Sequence, residues 1–323
     1  MTWARTATLC VLVLPFACPV ARADEPKPRL ELKDNETRGG LRLAFSADGK
    51  LLAVFGSVDM LTIWNTTTGK RTAGFKVKSG VPKQVAFAPD GKSVCTLASD
   101  DRGLQQFDLT GKLLSSYMPK DGFIDGIAFD VTGRVLVSAR HGKRVWVRDV
   151  GAEKDIFEAS HPQEVATAHI SPDGKTVLAP DLTLGARLWD VKSGKLIATC
   201  PSPGLTGPRE AFSPDGKLFG WGGAEKTGGV VWDAATGKEI CSLPGPGGTV
   251  YAYAVAFDPS GKTFLTGSTD GKVRVWDVKT KRCFATLPAQ VGTIFDVVVS
   301  PDGRTLAEVG TDAVRLWDMP VAK

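Results

Sequence analysis

The chain has 323 residues, 42 % hydrophobic and 8 % aromatic, with 36 glycines and 20 prolines, as many short strands joined by tight turns require. Its net charge is +5 at pH 7; loss of residues 1 to 23, with Arg5 and Arg22, would leave 5 − 2 = +3. That is too weak for a nucleic-acid reader, and the lysines recur singly around the chain instead of clustering.

The first 23 residues differ from the rest. Arg5 gives a positive start, Ala7 to Val20 is apolar, and Ala21-Arg22-Ala23 has the small-x-small pattern of a cleavage site before Asp24. The expectation is a signal peptide over 1–23 and an exported protein, periplasmic, envelope-bound or secreted. The apolar run of 14 residues is too short for a membrane span, which needs about 20. Pro15-Phe16 fits poorly before a lipid-bearing Cys18. Residues 24–323 are expected to form one domain.

After a short alternating stretch, Arg29-Leu30-Glu31-Leu32-Lys33, a turn resembling Pro-Asp-Gly returns seven times, with glycines at 49, 91, 133, 174, 216, 261 and 303. The spacings are 42, 42, 41, 42, 45 and 42 residues. A fixed period of this length means one supersecondary unit copied around an axis and points to a propeller. Fourteen to sixteen residues after each glycine comes a second marker in phase: Trp64-Asn65, Phe107-Asp108, Arg148-Asp149, Trp189-Asp190, Trp232-Asp233, Trp276-Asp277 and Trp317-Asp318. Alternation divides the second repeat into four strands, Gln84 to Phe87, Ser93 to Leu97, Leu104 to Phe107 and Lys112 to Tyr117.

With its Asp-Gly turns, its Ser268-Thr269-Asp270-Gly271 turn and its Trp-Asp pairs, the chain from about residue 29 to 319 resembles the WD40 repeat family. The resemblance implies an all-β fold, a seven-bladed propeller. The last repeat ends at its third strand, and such propellers close with an N-terminal strand; residues 29 to 33 are expected to fill that place. The family's hydrogen-bonded network of His, turn Asp, Ser or Thr, and Trp implies structural roles for His161, Asp270 and Trp276. Only the fourth repeat carries the His, so rigidity is expected mainly from packing. A metal site built from His141, His161 and Asp181 is the sharper alternative for these residues.

Catalytic patterns are missing from the sequence. Gly174-Lys175-Thr176 and Gly261-Lys262-Thr263 lack the earlier glycine of a phosphate loop, having His169 and Ala256 there. No nucleophile elbow, zinc-protease helix or calcium loop occurs. No cofactor or metal is expected. Cys95, Cys200, Cys241 and Cys283 fall in four repeats, and free thiols are expected from their divergence.

Repeats five and six break the pattern. Arg209-Glu210 puts charges where other repeats are small or apolar, and Trp221 stands between Gly220 and Gly222. At the place of Trp221 the other repeats have Val54, Thr96, Ser138, Ala179, Thr266 and Glu308. The 45-residue spacing marks an insertion at Pro244 to Gly248, followed by Tyr251 and Tyr253. Trp, Tyr and Arg dominate interface hot spots, so Arg209, Trp221, Tyr251 and Tyr253 form a candidate partner-binding patch. Alternatively Trp221 fills a gap opened by its glycines, and the tyrosines are ordinary strand residues.

Two functions follow. The first, implied by the resemblance, is a monomeric, non-enzymatic scaffold outside the cytoplasm that presents one rim to a protein or peptide, without nucleic acid or a membrane span. The second is a propeller enzyme or anion binder with a site in the central channel, lined by Arg42, Gln84, Gly126, Thr167, Arg209, Ala254 and Asp296.

Overall fold

A computed structural model describes residues 26–322 apart from 34–41, 57–58, 78–81, 99–103, 118–123, 130–134, 141–142, 150–151, 153, 166, 182–184, 203–209 and 225–226. Among the described residues there are 28 strands, no helix, and seven four-stranded antiparallel sheets. Six sheets are continuous in sequence, over 42–76, 82–117, 124–160, 169–201, 210–244 and 252–286, numbered 1 to 6 here. Sheet 7 takes Asp296–Val299, Thr305–Val309 and Val314–Asp318 from the chain's end and Leu30–Leu32 from its beginning. Leu30 pairs with Leu316 and Leu32 with Val314. Leu32 buries its side chain with Leu316, Val314 and Trp64, and Arg29 reaches Asp318 at 3.3 Å and the carbonyl of Thr66 in sheet 1 at 3.2 Å.

The repeated turn is chemically specific. Gly49, Gly91, Gly174, Gly216, Gly261 and Gly303 all have φ between 67° and 72°, a region open to glycine at no steric cost. A serine that the turn pattern leaves out fixes its geometry. Ser46, Ser171, Ser213 and Ser300 each donate from Oγ to the turn Asp at 2.6 to 2.7 Å, and each accepts the amide five residues on. The Asp of the Trp-Asp pairs in sheets 4, 5 and 6 caps the next hairpin, as when Asp190 accepts from Ser193 N–H at 2.7 Å and Asp277 from Thr280 N–H at 2.6 Å. The tryptophans Trp64, Trp189, Trp232, Trp276 and Trp317 are buried, each packed between its own sheet and a neighbouring one.

First strands of successive sheets lie against one another: sheet 1 against 2, 2 against 3, 3 against 4, 5 against 6, 6 against 7, and 7 against 1. Polar side chains make three of the joints. Arg42 Nε donates to the Lys83 carbonyl at 2.6 Å, Asp296 Oδ2 accepts the Leu43 amide at 2.9 Å, and His169 Nε2 meets Glu210 Oε1 at 2.7 Å. The last contact joins sheets 4 and 5. An all-β assembly of four-stranded antiparallel sheets is consistent with a WD40-type propeller.

Candidate interaction surface

Sheets 5 and 6 hold the residues that break the repeat. Trp221 is only 1 % exposed and sits in a cluster with Phe219, Trp232, Leu178, Leu188 and Cys200. The expectation that it belongs to a surface patch is therefore corrected, and so is the idea that its glycines open the gap it fills. Side chains alternate along a strand, so residues 220 and 222 face away from residue 221. A Cβ on Gly220 would enter the Phe264 ring, and one on Gly222 would strike the Ala252 carbonyl. The glycines let sheet 6 approach one face of sheet 5, while Trp221 packs toward sheet 4 on the other. Arg209 lies outside the described residues.

The tyrosines sit at the start of sheet 6. Tyr251 is half-buried and bridges to Ala224 of sheet 5, and its amide donates to Thr269 Oγ1 at 3.1 Å. Tyr253 is 39 % exposed and meets the Phe295 ring edge-on, with centroids 6.2 Å apart and planes at 80°. Phe295 ends the connection 287–295, which also carries Val291, 72 % exposed. The sequence reading missed Phe295 and Val291, because the pattern that singled out residues 209 to 253 stops before sheet 7.

The network residues are found in altered company. His161 is buried beside Trp189, 6.0 Å between ring centroids, with Nε2 3.9 Å from Asp181 Oδ2. Burial chiefly pushes its pKa down, against the opposing pull of Asp181. Asp270 has no His; it takes Arg274 at 2.6 Å, and Arg274 also reaches Ser268. Trp276 Nε1 donates to Thr266 Oγ1 at 3.0 Å, Trp64 likewise to Thr62, and Trp317 to Glu308. An arginine on the third strand thus replaces the missing histidine in sheet 6, and Arg315 meets Asp312 at 3.3 Å in sheet 7. Rigidity does not come from packing alone. Of the proposed metal ligands, His141 lies outside the described residues, and among those described no three metal-binding side chains cluster.

A cavity of about 450 Å³ runs between the first strands, lined by Arg42, Lys83, Thr167, His169, Glu210 and Asp296 among others. The side chains of Arg42, His169, Glu210 and Asp296 are engaged in the joints described above. Asp296 in addition accepts the Val297 amide at 2.9 Å. Cys95, Cys200 and Cys241 are free thiols, with burial pushing the first two up to about 11. Cys283, expected free, is disulfide-bonded, which corrects that expectation.

Comparison with known proteins brings in the family. A model described as WD domain, G-beta repeat, of the WD40 family matches residues 237–277, from the last hairpin of sheet 5 to Trp276-Asp277. Transducin beta-like protein 3 of Bos taurus is 28 % identical over 203 residues, 60 % of this chain and 24 % of that protein. Nuclear distribution protein PAC1 of Arthroderma otae is 41 % identical over 64 residues, 20 % of this chain and 14 % of its own. Pre-mRNA-processing factor 19 of Oryza sativa subsp. japonica is 36 % identical over 66 residues, 20 % of this chain and 12 % of its own. The chain thus spans about a quarter or less of the length of these curated relatives. They support the WD40 repeat resemblance, and none is named for a catalysed reaction.

They also overturn the expectation of export. The relatives are eukaryotic proteins named for nuclear distribution and pre-mRNA processing, not exported ones. The reading rested on the composition of residues 1 to 23 alone, and those lie outside the described residues. No helix among the described residues is long and apolar enough to cross a membrane.

Proposed function

We propose that the chain is a seven-bladed WD40 propeller, closed by its Leu30–Leu32 strand, that acts as a non-enzymatic protein-interaction scaffold. Residues from 24 onward form its single domain. The partner, a protein or peptide, is met at the rim where sheets 6 and 7 adjoin, by Tyr251, Tyr253, Phe295 and Val291. The observation that carries the reading is the exposed Tyr253, held edge-on by Phe295 beside a connection whose Val291 is open to solvent. Rigid aromatics with partial exposure give large contact area at low entropic cost.

Two further observations support it. Arg42, His169, Glu210 and Asp296 of the central cavity are spent on joints between sheets, which argues for a scaffold over a reaction centre. The turn lysines Lys50, Lys175 and Lys217 pair with the Asp of their own turns at 3.7, 3.0 and 3.3 Å, so they offer no phosphate-binding stripe.

The test is site-specific photocrosslinking. A crosslinker at residue 253 or 291 should capture a partner that one at Leu113, on the outer strand of sheet 2, does not. Tyr253→Ala should weaken that partner by about 1 to 2 kcal/mol without lowering the melting temperature. Equal capture at residue 113, or unchanged affinity in Tyr253→Ala, would reject this surface.

A further inference from the structure

Glu308 is the least expected residue in the fold. It lies on the second strand of sheet 7 with its side chain wholly buried. Its Oε1 accepts from Trp317 Nε1 at 3.0 Å, the bond that Thr266 and Thr62 accept from Trp276 and Trp64 in sheets 6 and 1. A hydroxyl suffices for that bond, so the carboxyl adds something a threonine does not: a proton that can leave.

The second oxygen, Oε2, is buried without a hydrogen bond, and so are both polar atoms of the Gln290 side chain, which interacts with Glu308. Gln290 belongs to the connection 287–295 and is 5 % exposed. It can lie there because Gly310 has no side chain; a Cβ at 310 would strike its amide oxygen. The connection is pinned through its backbone, with Gln290 N–H donating to Gly271 O at 2.8 Å, Ile294 N–H to Ser268 O at 3.1 Å and Phe295 N–H to Val309 O at 2.8 Å.

We propose that Glu308 is a proton-operated latch for the connection 287–295: the protonated carboxyl holds Gln290 seated, and its ionisation releases the segment that presents Val291 and Phe295. The idea rests on the reading of that rim as the partner surface. A neutral carboxyl can donate from Oε2 to the Gln290 amide oxygen, which satisfies two buried acceptors at once. An ionised one is a buried charge that must regain hydration or a counter-charge. Arg315, the nearest cation, is already held by Asp312 and Glu31, at 3.3 and 3.4 Å. Across the seam Arg274 and Asp270 satisfy each other. The Gln290 amide can donate to the ionised carboxylate but offsets only part of the cost of burial, so the rest of the hydration must come from water, which the packed connection keeps out. Burial, the dominant cause, pushes the Glu308 carboxyl up to about 7, where the Gln290, Trp317 and Arg315 contacts only partly offset it and Asp312 adds to it.

Amide hydrogen exchange on the full chain tests the latch without any partner, so its failure is distinguishable from failure of the rim reading. After correction for intrinsic exchange, protection at Gln290 and Ile294 should fall by about tenfold between pH 5 and 6, as expected for one titrating proton, and level off above pH 7. Protection at Ser171 and Ser213, in sheets 4 and 5, should stay constant. In Glu308→Gln, and in Glu308→Thr should the glutamine variant not fold, the same two amides should show no pH response. Constant protection in the natural chain, the same loss in either variant, or a loss shared by sheets 4 and 5 would overturn the proposal.

Discussion

At the scale of single residues, two buried side chains determine what can be changed. Trp221 fills the contact between sheets 4 and 5, and its indole N–H is buried without a hydrogen bond. Its contribution is therefore volume and contact, and Trp221→Ala should cost about 3 to 5 kcal/mol in chemical denaturation. Partner affinity of the folded fraction should not change, and a loss of affinity without destabilisation would return Trp221 to the surface patch. Glu308 acts with the opposite sign to the turn aspartates. Its folded pKa is raised from the ordinary 4.5 to about 7. Its contribution is therefore whole below 4.5 and lost as pH climbs to 7, on the order of 3 kcal/mol, since each pKa unit is worth about 1.4. Asp48, Asp173, Asp215 and Asp302 have lowered values, so what they contribute is present above 3.8 and lost only as pH falls below it. Guanidinium unfolding at pH 5 and 7.5 should show the natural chain weaker at 7.5 and Glu308→Gln nearly level. A drop of equal size in the variant would place the titration elsewhere.

At the scale of elements, what was legible follows from what local chemistry demands. The turns need glycine at positive φ and an Asp or Ser beside it, so every described copy could be placed from sequence. The Trp-Asp pairs of sheets 4, 5 and 6 were equally readable, because there the Asp caps a hairpin two or three residues away. What escaped was chemistry between sheets. Trp221 and Glu308 share one position in the repeat, yet the aromatic drew the functional reading while the acid, which sequence alone treats as solvated, is buried as deeply as the aromatic. Similarly, a missing histidine suggested a lost network. The replacement by Arg274 could not be seen, since arginine on a third strand is compatible with either face until the Asp270 turn is placed against it. Phe295 and Val291 sit in a repeat with ordinary spacing, so no irregularity marked them.

At the scale of the whole molecule, the proposed ring depends on a strand nearly three hundred residues away in sequence from the one it pairs with. Leu30–Leu32 contributes only three residues, but it does three things at once. It covers the outer edge of Val314–Asp318, buries Leu32 among Val314, Leu316 and Trp64, and brings Arg29 to Asp318, Thr305 and the Thr66 carbonyl. Without it sheet 7 would keep three strands and expose a row of unpaired backbone groups, the arrangement that invites pairing with another chain. A chain lacking residues 26–33 should therefore melt earlier and associate, as read by thermal denaturation and light scattering. The exposed edge should also reveal itself by position. Crosslinks in the associated material should involve Val314–Asp318, because the outer strands of sheets 1 to 6 are the same in both chains. If the shortened chain melts like the full one and stays monodisperse, the strand is an ornament on a ring already closed by contacts between sheets 7 and 1, and the closure proposed here is wrong.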